Sequence, residues 1–408
     1  MGSFSIALTG LQADSVELNT VGNNLANLNT TAFKKQSTTF EDLFYQQIGT
    51  SGSNNALQVG VGTKVSGTAT SYGQGSLSTT GNATDMALSG DGFFVVQQGG
   101  VQSLTRAGNF QLSSQGTLTT VDGAQVMGYP AVNGVVSGNT TLSPLTLPVG
   151  STESAKATQS FSITANLNAG ATVGTQFATP LTMYDSLGQS HVATVTYTKT
   201  GANAWGYTVT LPTADAATAS GNTGTLTFNA AGTLTAPSSN VSGIAFGGLT
   251  DGASNLSFNW NLYDGSGNPT ISQSTAASTT TASSQDGFAS GIYQSFAVDS
   301  TGLITATFSN GQTANIGQVA VASVANEQGL TLTGNNNYVT TAASGLASFG
   351  VAGAGGRATI QDSALEQSNV NISTEFSDLI VAQRAFEANS KTVTTFDTVA
   401  QDVIGMIR

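Results

Sequence analysis

The sequence predicts a multidomain protein: an α-helical coiled-coil domain formed by both chain ends, plus two mainly-β domains, the outer one inserted in the inner one. Three observations predict it. Near the start, Phe4, Leu11, Leu18 and Leu25 recur every seven residues, with Ala7, Val21 and Leu28 three positions after the first, third and fourth. Near the end, Ile372, Leu379, Phe386, Val393, Ala400 and Ile407 keep the same interval, supported by Ala382, Phe396 and Val403. Between them lie short β-prone runs separated by glycine-centred turns, and 49 of the 408 residues are glycine. A sustained seven-residue apolar repeat makes a seam, and a seam needs a partner helix. With little helical periodicity elsewhere, the two ends are expected to partner each other, and the assembly seam is assigned to Phe4, Leu11, Leu18, Leu25, Ile372, Leu379, Phe386, Val393, Phe396 and Val403.

Taken in order, the helical domain comprises residues 1–30 and 365–408. The polar run Asn-Leu-Asn-Thr-Thr at 27–31 ends the first helix. At about 1.5 Å per residue the first helix spans roughly 40 Å and the last, read as 365–406, roughly 60 Å, so the last should overhang. Residues 31–71 read as a connector: apolar Phe33, Phe40, Leu43, Phe44 and Ile48 precede a glycine-rich stretch, 49–62, too polar to pack alone. The inner β-domain, 72–150 and 285–364, contains strand-like runs at 86–88, 93–96, 104–110 and 125–129, then at 296–299, 304–308 and 318–324. A composition shift around 142–153 opens the outer domain, 151–284. Its runs lie at 161–167, 181–184, 191–199, 205–211, 225–228 and 257–263, and low-complexity residues 272–284 close it. Turn signals every 8–12 residues or so favour sandwich or barrel pieces.

Only 8% of residues are charged, against about 25% in typical globular chains. A neutral, hydroxyl-rich surface can slide against identical neighbours without stranding buried charge, which suits a subunit of a large, deformable assembly. The net charge of −12, with ten Lys plus Arg, excludes nucleic acid as a partner, because phosphate binding needs a basic patch. The absence of cysteine excludes disulfides, thiol nucleophiles and thiolate metal sites. The opening MGSFSIALTG lacks the basic and apolar regions of a cleaved secretory signal, and Ile6 breaks a myristoylation pattern. No apolar run approaches the roughly 20 residues that span a bilayer, so no membrane partner is expected.

No catalytic, cofactor or metal site is expected. His191, the only histidine, opens a strand-like run and reads as a structural or surface residue. Asp85 and Asp91 flank an apolar run and could form a carboxylate pair, but glycines 81, 90 and 92 mark them as turn residues. Residues 264–268 (Asp-Gly-Ser-Gly-Asn) imitate half a calcium loop without the distal glutamate. The Asn-x-Ser/Thr triplets at Asn82, Asn139 and Asn255 are expected by chance in so Asn- and Thr-rich a chain.

After the first helix the chain reads Asn23-Asn24-Leu25-Ala26-Asn27-Leu28-Asn29-Thr30-Thr31-Ala32-Phe33-Lys34. This resembles the N-terminal signature of the bacterial flagellar rod, hook and hook-associated protein family, with Asn24, Asn27, Thr31, Phe33 and Lys34 on the motif and Ala32 where glycine is commoner. Residues 368–404 resemble the same family's closing helix. GDGFFVV at 90–96, LTRAGNFQLSSQGTL at 104–118, VMGYP at 126–130, TMYDSLGQSH at 182–191, SFAVDSTGLITATFSNGQ at 295–312 and NEQGL at 326–330 are similar to the family's β-region. Length and the large 151–285 insertion resemble hook subunits rather than the shorter rod subunits. The resemblance implies a homopolymer forming a curved, flexible tube that links motor rod to filament and transmits torque. It further implies contacts with distal rod, hook cap and hook–filament junction proteins, and passage through the flagellar type III export apparatus to the extracellular flagellum without a cleaved signal. The alternatives are a distal rod subunit and, from another class, a secreted surface β-protein, an adhesin or glycan-active enzyme, which should carry a signal peptide and a clustered acidic or aromatic site.

Overall fold

Two helices bracket the chain, α1 (Gly2–Ala26) and α2 (Ile372–Met406). The computed structural model describes residues 2–50, 56–137 and 141–406; Ile407, Asn139 and the 51–55 part of the expected connector lie outside the described residues. The second helix starts later than its expected 365. Ala364–Glu366 is instead a strand paired with Leu77–Thr79, and Asn371 caps α2, its side-chain oxygen accepting the Thr374 backbone N–H at 3.2 Å. The chain divides into two compact units: unit 1 is Met1–Val149, Phe296–Ala306 and Ala314–Arg408, and unit 2 is Gly150–Ser295 and Thr307–Thr313.

In unit 1 the helices run antiparallel, since Asn24 meets Glu375 while Asp14 meets Asn389. The segment expected to be a connector is not a loop. Gln36–Asp42 pairs with Thr63–Thr70, and Gln46–Thr50 with Ala56–Val59, both antiparallel, making a long two-stranded arm. Alternating Thr, Val and Gln favour such a ribbon, and its root lies along α1, where Thr38 bonds Thr20 at 3.1 Å. The sheet of unit 1 places Thr313–Ser323, Gln125–Val132, Phe93–Gln98, Val101–Thr105, Asn337–Val339 and Thr331–Gly334 side by side. Phe93, Val95, Leu104, Met127, Tyr129 and Tyr338 form a buried cluster on it. Met86–Ser89 pairs with Thr359–Asp362, so the outgoing and returning chain are held together before α2 begins.

Unit 2 is a sandwich of two sheets, one ordered Ala216–Ser220, Val241–Leu249, Leu256–Asn261, Ser160–Asn168, Ile271–Ser274, the other Gln176–Tyr184, Ser190–Gly201, Ala204–Thr210, Thr223–Phe228, Leu234–Ala236. Burial alternates residue by residue along Ser160–Asn168 and Ser190–Gly201, as expected where one face of each strand meets the core. Trp260 of the first sheet stacks on Phe161 with centroids 5.6 Å apart and meets Tyr207 of the second edge-on at 5.1 Å. Both tryptophans of the chain are fully buried in this core.

Candidate functional site

The motif after α1 is a clamp that fastens the two ends of the chain. Lys34 extends into the interior, where its ammonium donates to Glu366 Oε1 at 2.6 Å and to the Gly73 carbonyl at 3.0 Å. Glu366 is fully buried and also accepts from the Gly75 N–H at 2.8 Å and, through Oε2, from Arg106 Nη1 at 3.4 Å. The Arg106 guanidinium donates to the Gly90 carbonyl at 2.8 Å and lies over the Phe93 ring. Burial pulls the Lys34 pKa below its ordinary value, and the Glu366 carboxylate opposes that shift. Gly75 is required here: a Cβ would stand 2.0 Å from the Gln367 carbonyl oxygen.

A second buried group ties α1 to α2. Asn24 grips the backbone of Gln36 both ways, donating to its carbonyl at 2.7 Å and accepting its N–H at 2.9 Å, and donates to Glu375 Oε2 at 2.9 Å. Lys35 bonds the other Glu375 oxygen at 2.8 Å. Asn369 joins three segments, accepting from Lys35 N at 2.7 Å and donating to the carbonyls of Ser71 and Gly73. Of the other motif residues, Asn27 accepts from Thr30 Oγ1, the Thr31 carbonyl accepts from Asn336 Nδ2 at 2.8 Å, and Phe33 is buried. Ala32 is fully buried at φ 56°, its N–H bonding the Glu366 carbonyl. A left-handed backbone tolerates glycine or, with strain, alanine, but not a β-branched side chain. Ala32→Val is therefore expected to lose about 2 kcal/mol or more of unit 1 stability, and Ala32→Gly to stay within about 1 kcal/mol of the parent. Chemical denaturation of both variants checks this, and equal losses would refute it.

The expected seam is only partly where the heptads put it. Apart from Val21, the residues buried along the facing sides of α1 and α2 are small or polar: Ala7 and Asn24 on one side, Glu375 and Ala382 on the other. The approach is so close that a Cβ on Gly10 would come within 2.7 Å of Asn389 Nδ2. Leu11, Leu18, Leu25, Leu379 and Val393 are half-buried along its flanks, whereas Phe4, Ile372, Phe386, Phe396 and Val403 are exposed. The cause is the side-chain size at the other heptad positions: Ala7, Gly10, Ala382 and Ala385 let the backbones approach, which turns the larger residues outward. Past Asn389, α2 outruns α1 by about 13 Å, and this end carries exposed Val399, Val403, Ile404 and Met406. The arm adds Phe44, Tyr45, Ile48, Leu57 and Val59, all exposed, Phe44 at 94%. An apolar ridge on a long helix beside an apolar, open-edged ribbon is a surface built to be covered.

The remaining candidates resolve into local roles. Asp85 accepts from Thr80 Oγ1 at 2.7 Å, and the Asp91 carbonyl accepts from Ala358 N. Asp264 accepts from the N–H groups of Ser266 and Asn268, an Asx turn. His191 is buried, and both its ring nitrogens face carboxylates.

Comparison with known proteins covers both ends and the middle. Residues 4–34 match the flagella basal body rod protein family and 361–406 the flagellar basal body rod FlgEFG protein C-terminal family, so Asn24 and Lys34 at one end and Glu366, Asn369 and Glu375 at the other fall within the matched segments. Residues 87–166 match the flagellar hook protein FlgE/F/G D1 domain, and 168–288 the flagellar basal body protein FlaE D2 domain. The flagellar hook protein FlgE of Treponema pallidum is 32% identical, covering 100% of both chains. That of Salmonella typhimurium is 32% identical over 99% of this chain and 100% of its own. The flagellar basal-body rod protein FlgG of Bacillus subtilis is 24% identical over 98% of this chain and 97% of its own. A crystal structure of a Helicobacter pylori flagellar hook protein shares the fold, with TM-score 0.54 at 14% identity, covering 71% of this chain and 100% of that one.

Proposed function

The chain belongs to the bacterial flagellar hook protein family, and from that premise we infer how one copy serves as a structural subunit of the hook. Copies polymerise through their terminal helices into a curved, flexible tube that joins the motor rod to the filament and transmits torque. The observation that carries this reading is the uncovered apolar surface of α2 and the arm on an otherwise polar, charge-poor chain. A lone helix pair with small and polar residues at its centre buries too little to make so long an α2 worthwhile on its own. Neighbouring copies are the natural cover, because chains of one kind present the same ridge and the same arm to one another. In this reading unit 2 serves as the outer domain, whose charge-poor surface permits the small sliding contacts that bending demands. The distal rod reading is weaker, since hook relatives reach 33% identity and the rod relative 24%. The distal rod, hook cap and hook–filament junction proteins are the proposed neighbours at the ends of the tube. The flagellar type III apparatus is the proposed route to the extracellular hook.

Electron microscopy of the concentrated protein tests this reading: short curved tubes support it, while straight rods would favour the rod alternative. The structure also fixes where to cut. A chain ending at Asn371 keeps Glu366 and Asn369 but lacks α2, and is expected to stay folded and monomeric without forming tubes. Tubes from that truncated chain would show that β-structure, not the helices, drives assembly.

A further inference from the structure

We propose that unit 2 carries a divalent-cation site made by His191 Nε2 with one carboxylate oxygen each from Asp185 and Asp251, the far side of the imidazole being held by Asp215. The four residues come from three places in the sandwich. Asp185 and His191 sit at the hairpin joining Gln176–Tyr184 to Ser190–Gly201, Asp215 follows Ala204–Thr210, and Asp251 follows Val241–Leu249 of the other sheet. The ligand atoms of Asp185, His191 and Asp251 all lie within 4.8 Å of one another.

The geometry favours an ion over a simple hydrogen-bond cluster. Asp185 is fully buried and its Oδ1 is fixed by the N–H groups of Leu187 and Gln189 at 2.8 and 3.0 Å, so Oδ2 is held toward His191 Nε2 at 3.0 Å. Asp251 Oδ1 accepts from Ala253 N at 3.0 Å, and its Oδ2 stands 3.6 Å from the same Nε2. A distance of 3.6 Å is too long for a hydrogen bond. The 3.0 Å separation suits an edge of a coordination shell, roughly 3 to 3.4 Å for bonds near 2.0–2.1 Å, and the 3.6 Å separation lies a few tenths of an ångström beyond it. On the other side of the ring, Nδ1 lies 3.2 Å from Asp215 Oδ2. With Nδ1–H donating there, Nε2 faces two carboxylates, and a positive charge at that point, carried by a proton on Nε2 or by a cation, relieves them. A proton would serve Asp185 alone, whereas a cation serves all three. This carboxylate–histidine–metal order is the usual outer-shell arrangement of histidine ligands.

The charge inventory points the same way. The two lysines of unit 2 are engaged elsewhere: Lys156 pairs with Asp286, and Lys199 bonds the Ala202 carbonyl and Gln273 over the Trp205 ring. Neither neutralises the three aspartates around His191. One imidazole nitrogen with two carboxylate oxygens suits a borderline ion of the zinc, manganese or cobalt kind. Asp251 is partly exposed, which leaves an entry path. Because Asp251 belongs to one sheet and Asp185 and His191 to the other, an ion there would staple the open end of the sandwich.

The test uses the full chain with zinc chloride at about 100 µM against EDTA, following unit 2 through its two buried tryptophans and binding by titration calorimetry. One ion per chain should bind and raise the tryptophan melting point. Asp251→Asn, at a partly exposed position, should fold normally in EDTA yet lose at least about tenfold in affinity, and Asp215→Asn about 10- to 100-fold. His191→Gln should abolish binding; if that variant does not fold, Asp251→Asn decides alone. No binding at this zinc concentration, or unchanged affinity in Asp251→Asn, would overturn the proposal.

Discussion

Replacing Glu366 by alanine is expected to lower the melting temperature of unit 1 by about 10 °C. Glu366 is the sole carboxylate bonded to both Lys34 and Arg106 among the described residues, and all three side chains are almost completely buried. Breaking a buried ion pair by removing one partner costs about 3–5 kcal/mol, because a charge is left uncompensated. Here two cations and the Gly75 N–H lose their acceptor together. A unit of this size shifts by roughly 2–4 °C per kcal/mol. Glu366→Gln should fall between, since its carbonyl still accepts a hydrogen bond but supplies no charge. Calorimetry with the tryptophan signal of unit 2 as internal reference separates the two units. A melting point for Glu366→Ala within about 2 °C of the parent would show that the clamp does not hold the ends.

Changing Phe386 and Val403 together to aspartate is expected to abolish tube formation while leaving the melting point of the monomer nearly unchanged. Both side chains are exposed in the single chain, at 38% and 50%, and exposed positions tolerate substitution within about 0.5 kcal/mol. If neighbouring copies cover the ridge, each carboxylate becomes a buried, unpaired charge costing several kcal/mol per subunit, repeated along the polymer. Leu379 is unsuited to this experiment. It is half-buried against α1, so an aspartate there would damage the monomer as well as the contact. Negative-stain microscopy beside thermal unfolding gives the answer, and normal tubes from the double variant would remove the helical ridge from the assembly interface.

The β-runs and the two terminal helices were legible in the sequence because their signals are local: alternation, glycine turns and a seven-residue repeat. The true centre of the helix pair was legible only in part: Ala7, Val21 and Ala382 accompanied the repeat, but Gly10, Asp14 and Asn24 carry no hydrophobic signal, and small residues at a close approach look like any others in a glycine- and alanine-rich chain. The motif around Asn24 and Lys34 was recognisable by resemblance, but its work depends on Glu366 and Glu375, which no local pattern marks as its partners. The arm was misread as a connector because its strands bury almost nothing in one copy, so no burial pattern marks them. His191 showed no motif since its partners come from three separate loops, each aspartate resembling an ordinary turn residue.

The clamp also dictates the order in which the molecule acquires its shape. Lys34 waits for a partner 332 residues downstream and Asn24 for one 351 residues downstream; contacts of such sequence separation form late, because loop-closure entropy must be met first. A chain threaded amino end first through a narrow conduit would thus keep its leading end unfastened until nearly the last residue had emerged, and could not lock prematurely. In refolding experiments the tryptophan signal of unit 2 should precede the rise in helical circular dichroism, and simultaneous appearance of the two would contradict this order.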